Sequence, residues 1–129
     1  PLVLPDGPIH FRQATARLDP ASLPFSGGPR AIVSGWVRPL EPRPIDTAWL
    51  AMILDWFPPA AFVRVQPPTG GVSIDYTVHI HRTTAALGDD WLAGVFRADT
   101  AIDGLALEHG IIALADGTPL AEAFHTRVA

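Results

Sequence analysis

The stretch IDYTVHIHR, residues 74–82, sets His79 and His81 two apart in a run that alternates like a strand. Alternation puts Val72, Ile74, Tyr76, Val78 and Ile80 on one face, and Ser73, Asp75, Thr77, His79 and His81 on the other. The two imidazoles therefore share a face, as metal ligands would. A metal centre needs a third and fourth donor in fixed geometry. His109 or Asp75 could be put forward, but no spacing selects either, so the expectation is a polar sheet face or subunit contact, with no metal and no cofactor. Asp55 is a different candidate, the one charge after the cap of an apolar helical run. A carboxylate there loses hydration and lies at the negative end of the helix dipole. Two unfavourable placements point either to a site or to a helix edge bonded to a loop. His125, beside Phe124 in the final strand, can act as a base or orient a water near neutral pH. Ser73, shortly after Gly70 and Gly71, is an ordinary serine unless a base lies close to it. There is no G-x-S-x-G elbow, which excludes an α/β-hydrolase.

The elements that must position these residues follow from punctuation and periodicity. Residues 1–9, with three prolines, read as an irregular lead-in. Strand signals follow at 10–19 and 30–40, the second ended by Pro39, Pro42 and Pro44. Ile45 to Phe57 reads as a helix capped by Asp46 and stopped by Pro58 and Pro59. It has no polar stripe at any helical angle, so it should be buried on all sides, and its thirteen residues would span roughly 20 Å. Four strands are expected at 72–82, 91–102, 105–115 and 119–129, with Asp103-Gly104 and Asp116-Gly117 as hairpin turns. The order β-β-α-β-β-β-β predicts an α+β hotdog: a curved antiparallel sheet wrapped around one buried central helix.

Composition narrows the classes. A chain of 129 residues is expected to form a single domain over 1–129. Hydrophobic residues make up 48% of it, which argues for a globular chain. Net charge is −4 and the nine basic residues are scattered arginines, so a nucleic-acid partner is not expected. The absence of cysteine excludes disulfides and thiolate chemistry. No apolar run approaches the roughly 20 residues of a membrane helix, and PLVLPDGP lacks the features of a signal peptide. The expectation is a cytoplasmic protein without a membrane partner. A start at Pro1 rather than Met suggests processing or a piece of a longer protein.

The succession WVRPLEPRPIDTAWLAMILDWFPPA, VSIDYTVHIHR and DDWLAGVFRADTAIDGLALEHGIIALADGTPLAEAFHTRV resembles the C-terminal hotdog of the acyl-CoA thioesterase II family, the double-hotdog, thioesterase-like proteins. The resemblance covers roughly residues 30–129. It implies a water-activating trio: an Asp near the end of the central helix, a Thr or Ser opening the next strand, and a Gln in the last strand. Asp55, Ser73 and His125 fall on these positions, with His125 replacing the Gln. The implied activity is single-displacement hydrolysis of acyl-CoA or a related thioester, with the acyl chain in an apolar tunnel beside the helix lined by Trp49, Met52 and Trp56. The alternative is a non-catalytic, acyl-binding or structural half. Since the family pattern is two hotdogs in one chain, a lone half should form a homo-oligomer or pair with another hotdog domain.

Overall fold

The computed structural model describes residues 14–22, 30–58, 60–64, 72–88 and 90–128. The expected lead-in, 1–9, and the loop at 67–71 lie outside them. The strands are β1 (Ala14–Leu18), β2 (Ile32–Pro39), β3 (Arg43–Ile45), β4 (Val72–Ile80), β5 (Thr84–Gly88), β6 (Leu92–Ile102), β7 (Leu105–Ala113) and β8 (Pro119–Val128). Among the described residues one α-helix, α1 (Thr47–Ile53), precedes a 3₁₀ turn at Ala60–Val63.

Six strands form an antiparallel sheet in the order β1-β2-β6-β7-β8-β4, while β3 and β5 pair separately. The β6–β7 hairpin turns through Asp103 and Gly104, both at positive φ (52° and 80°), as the Asp-Gly signal predicts. Gly117, at φ 94°, serves the β7–β8 turn. The small β3–β5 pair went unpredicted. Arg43–Ile45 contains Pro44, which reads as a strand terminator, and β5 lacks the β-branched alternation of its neighbours.

The expectation of a curved sheet wrapped around one buried central helix is overturned. The sheet is open, with β1 at one end and β4 at the other. The helix is the reason. Asp46 caps it by accepting the Trp49 N–H at 2.9 Å, but it runs for seven residues rather than thirteen. At about 1.5 Å per residue it is some 10 Å long, too short to be an axis for strands of nine to eleven residues. Past Ile53 the backbone tightens, with Asp55 and Trp56 donating three residues back to Met52 and Ile53 at 3.1 Å. Pro58 disfavours helical geometry at the residue before it and so ends the element.

The helix lies against one face of the sheet, hereafter the inner face. Tyr76 on β4 donates its hydroxyl to the Ala51 carbonyl at 2.7 Å, tying α1 to the sheet edge. The core between them holds Trp49, Leu50, Ile53, Leu54, Trp56 and Phe57 against Val33, Val37, Phe96 and Ile112. Each such side chain contributes about 1.5–3 kcal/mol on burial. Phe57 packs on Phe96 at 4.6 Å between ring centroids. Gly110 has no Cβ because the Phe96 ring occupies that space.

Candidate active site

From Ala121 onward β8 alternates: Ala121, Ala123, His125 and Arg127 are buried on the inner face, while Glu122 and Phe124 point outward. Its neighbours bring Tyr76 of β4 and Glu108 of β7 level with His125. Uninterrupted alternation would leave Ser73 outward with His79. A β-bulge between Ser73 and Asp75 prevents that: Ser73 pairs with Arg127 and Asp75 with Thr126, leaving Ile74 as an extra residue. The bulge turns Ser73 inward, and its Oγ meets His125 Nε2 at 2.6 Å.

Asp55 reaches the same nitrogen from the turn after α1, its Oδ1 lying 3.8 Å from His125 Nε2. The expectation that Asp55 is desolvated is corrected, because its side chain is 49% exposed. The helix ends before Asp55, and the following turn leaves the carboxylate at the rim while Trp56 and Phe57 enter the core. The structure thus brings Asp55, Ser73 and His125 together at one ring nitrogen.

The other ring nitrogen, Nδ1, is buried with no partner among the described residues. A buried N–H without an acceptor is costlier than a bare lone pair, which assigns the neutral tautomer with the proton on Nε2, donating to Ser73. Burial first, and then the Arg127 guanidinium, hold the imidazole below the ordinary histidine range, against the opposing pull of Asp55 and Asp75. The ring of Tyr76 lies 4.5 Å from that of His125. Burial, reinforced by the Asp55 carboxylate, raises the Tyr76 phenol well above its usual value, so it stays protonated. This geometry differs from a serine-protease triad, in which the carboxylate holds Nδ1 and the serine faces Nε2. Here both oxygens face Nε2, an arrangement suited to sharing a water.

Two charged neighbours were missed. Arg127 Nη2 stands 3.6 Å from Asp55 Oδ1 and 3.4 Å from Glu108 Oε1. Glu108 Oε2 accepts the Ala60 N–H at 2.8 Å. The available signal was a charge at an inward-facing position in each of two adjacent strands, Glu108 among Ala106, Gly110 and Ile112, and Arg127 after Ala121 and Ala123.

Trp49 and Trp56, expected along an acyl tunnel, are 1% and 2% exposed in the core, while Met52 is half-buried against it. Three described cavities, of about 640, 330 and 490 Å³, are lined by other residues. His79 lies on the polar side of β4, and His81 follows just past its end. His81 Nε2 and His109 Nε2 each meet a different oxygen of Glu122, at 2.7 and 2.9 Å, holding that carboxyl below its usual range. Phe124 stacks on His109 at 4.7 Å. Among the described residues no group of three His, Cys, Asp or Glu is arranged to hold a metal, and no helix is long and apolar enough to cross a membrane.

Comparison with known proteins gives these features a family. The profile described as acyl-CoA thioesterase C-terminal domain matches residues 2–129. No functionally curated protein matches the chain. Among solved structures, a conserved protein of unknown function with a hot dog fold from Alicyclobacillus acidocaldarius is similar at 25% identity and TM-score 0.79, over 97% of this chain and 48% of that one. An acyl-CoA thioesterase II from Mycobacterium marinum matches at 22% identity and TM-score 0.66, over 99% and 54%. A hypothetical thioesterase with coenzyme A from Streptococcus pneumoniae matches at 10% identity and TM-score 0.62, over 88% and 84%. The chain spans about half the length of the first two.

Proposed function

The chain belongs to the acyl-CoA thioesterase C-terminal domain family, and on that footing we propose that it hydrolyses acyl-CoA or a related acyl thioester with an activated water. The observation that carries this reading is the convergence of Ser73 Oγ and Asp55 Oδ1 on His125 Nε2, at 2.6 and 3.8 Å. In the proposed reaction Asp55 takes a proton from the water as its oxygen attacks the thioester carbonyl carbon. Ser73, held by the Nε2–H of His125, orients that water. The tetrahedral intermediate then collapses by breaking the carbon–sulfur bond, and the thiolate leaves with the proton. The acyl chain lies beside α1, with Met52 as its accessible contact and Trp49 and Trp56 as the wall behind.

The developing oxyanion needs a donor. The N-terminus of α1 lies eight residues from Asp55, about 12 Å at helical rise, too far for one carbonyl to touch both. A second hotdog domain, a second copy or a separate chain, laid along the open edge at β4, would supply that donor. The longer relatives support this pairing, since they have room for another body of similar size.

The test is thiol release from a panel of acyl-CoAs by wild type and Asp55→Asn. Loss of the base should cut the rate by on the order of 10² or more. Equal turnover by both proteins removes Asp55 from the mechanism. No turnover by either, assayed as the assembled oligomer, favours the non-catalytic, acyl-binding half.

A further inference from the structure

The polar chain on the inner face continues beyond the three residues that would handle the water. The Arg127 side chain is 8% exposed and lies between two carboxylates, Asp55 and Glu108. Its Nη2 is 3.6 Å from Asp55 Oδ1 and 3.4 Å from Glu108 Oε1, and its Nε is 3.4 Å from Glu108 Oε2. Glu108, 3% exposed, is fixed in turn by the Ala60 N–H at 2.8 Å. A buried ion pair is poor evidence of stabilisation, because apolar side chains of similar volume often do as well. The pair here instead connects the rigid β7–β8 ladder to a carboxylate that needs holding. Asp55 is half exposed on the turn after a short helix, and without a cation beside it the carboxylate could rotate into solvent.

We propose that Arg127 is a positioning residue: its guanidinium, braced by Glu108, holds the Asp55 carboxylate at the Nε2 edge of His125. The kinetic consequence rests on the hydrolase reading above; the placement does not. Arg127 has a second effect on the same pair. The charged and titratable groups around His125 are Asp55 from the α1 turn, Asp75 and Tyr76 from β4, Glu108 from β7 and Arg127 from β8. Both aspartates favour an imidazolium, and Arg127 opposes them.

Arg127→Met alone would leave Glu108 buried without its cation and could unfold the chain. The informative variant is therefore the double, Glu108→Gln with Arg127→Met, compared with Arg127→Lys in the full chain. Two readouts are taken: the His125 ring titration by NMR, and thiol release from an acyl-CoA across pH. The double variant should lower kcat at least tenfold, and Asp55→Asn, which lowers the His125 midpoint in the wild-type background, should leave it unmoved in the double variant. Arg127→Lys should keep the midpoint near wild type. A folded double variant with unchanged kcat, in which Asp55→Asn still lowers the His125 midpoint, overturns the proposal. If wild type releases no thiol, the hydrolase reading fails, and the ring titration still decides the placement: loss of the Asp55→Asn effect in the double variant sustains it and persistence of that effect overturns it.

Discussion

A second proton on His125 would sit on Nδ1, a buried atom with no acceptor among the described residues, and the Arg127 guanidinium opposes charge on the ring. That placement explains why the ring favours its neutral form, and it fixes the sign of the pH dependence. With its pKa lowered from 6.5, the imidazole stays neutral at pH 7 and gains charge only as the pH falls below that value. The resulting imidazolium, close to Asp55, would tie up the proposed base. Wild-type thiol release should therefore be flat through neutrality and decline only on the acid side of the ordinary histidine range. His125→Gln supplies a neutral N–H donor in place of Nε2–H. It should keep the neutral-pH rate within about tenfold and abolish that acid limb; an unchanged limb in the variant would remove His125 as its source. The types and order of Asp55, Ser73 and His125 were legible in the sequence, with the family resemblance joining them. The exposure of Asp55 was not, since it depends on where the helix stops. Arg127 and Glu108 were legible only as a pair, once β7 and β8 are set side by side.

Strand β4 shows why counting by twos reached its limit. Alternation describes 75–80 correctly, with Tyr76, Val78 and Ile80 inward and His79 outward against Glu122. It fails at Ser73 because two residues of β4 there oppose the single Arg127. No local sequence signal marks the bulge; Ile74 looks like any strand residue, yet it is 61% exposed. The register makes an unusual expectation. Deleting Ile74 joins Ser73 to Asp75, leaves Ser73 opposite Arg127, and turns the irregular ladder into a regular one. Thiol release by the deletion variant should stay within about tenfold of wild type, against about 10² for a site displaced by an ångström. A loss equal to that of Ser73→Ala would show that the bulge itself, rather than the pairing, sets the serine. The helix gives the complementary lesson. Its cap at Asp46 was readable, whereas its stop at Ile53 was not: the tightening that follows packs Trp56 and Phe57 against the sheet.

At the scale of the molecule, the class of elements and the antiparallel β6–β7–β8 meander were legible, because Asp-Gly turns and strand lengths are local properties. How far the sheet curls was not, since that depends on how much volume one short helix can fill. The open sheet leaves β4 as an edge, and β4 carries Ser73. An edge strand presents unpaired backbone groups to any chain that can align with it. If the oxyanion donor arrives by that route, the working unit is an encounter between two bodies and obeys mass action. Initial rate plotted against total chain should then curve upward at high dilution and become proportional only once the edges are occupied, with the same inflection in a sedimentation isotherm. Strict proportionality at every dilution, with only monomer sedimenting, would place the missing donor within this chain. The reaction order in protein thus becomes a property of the strand order in the sheet.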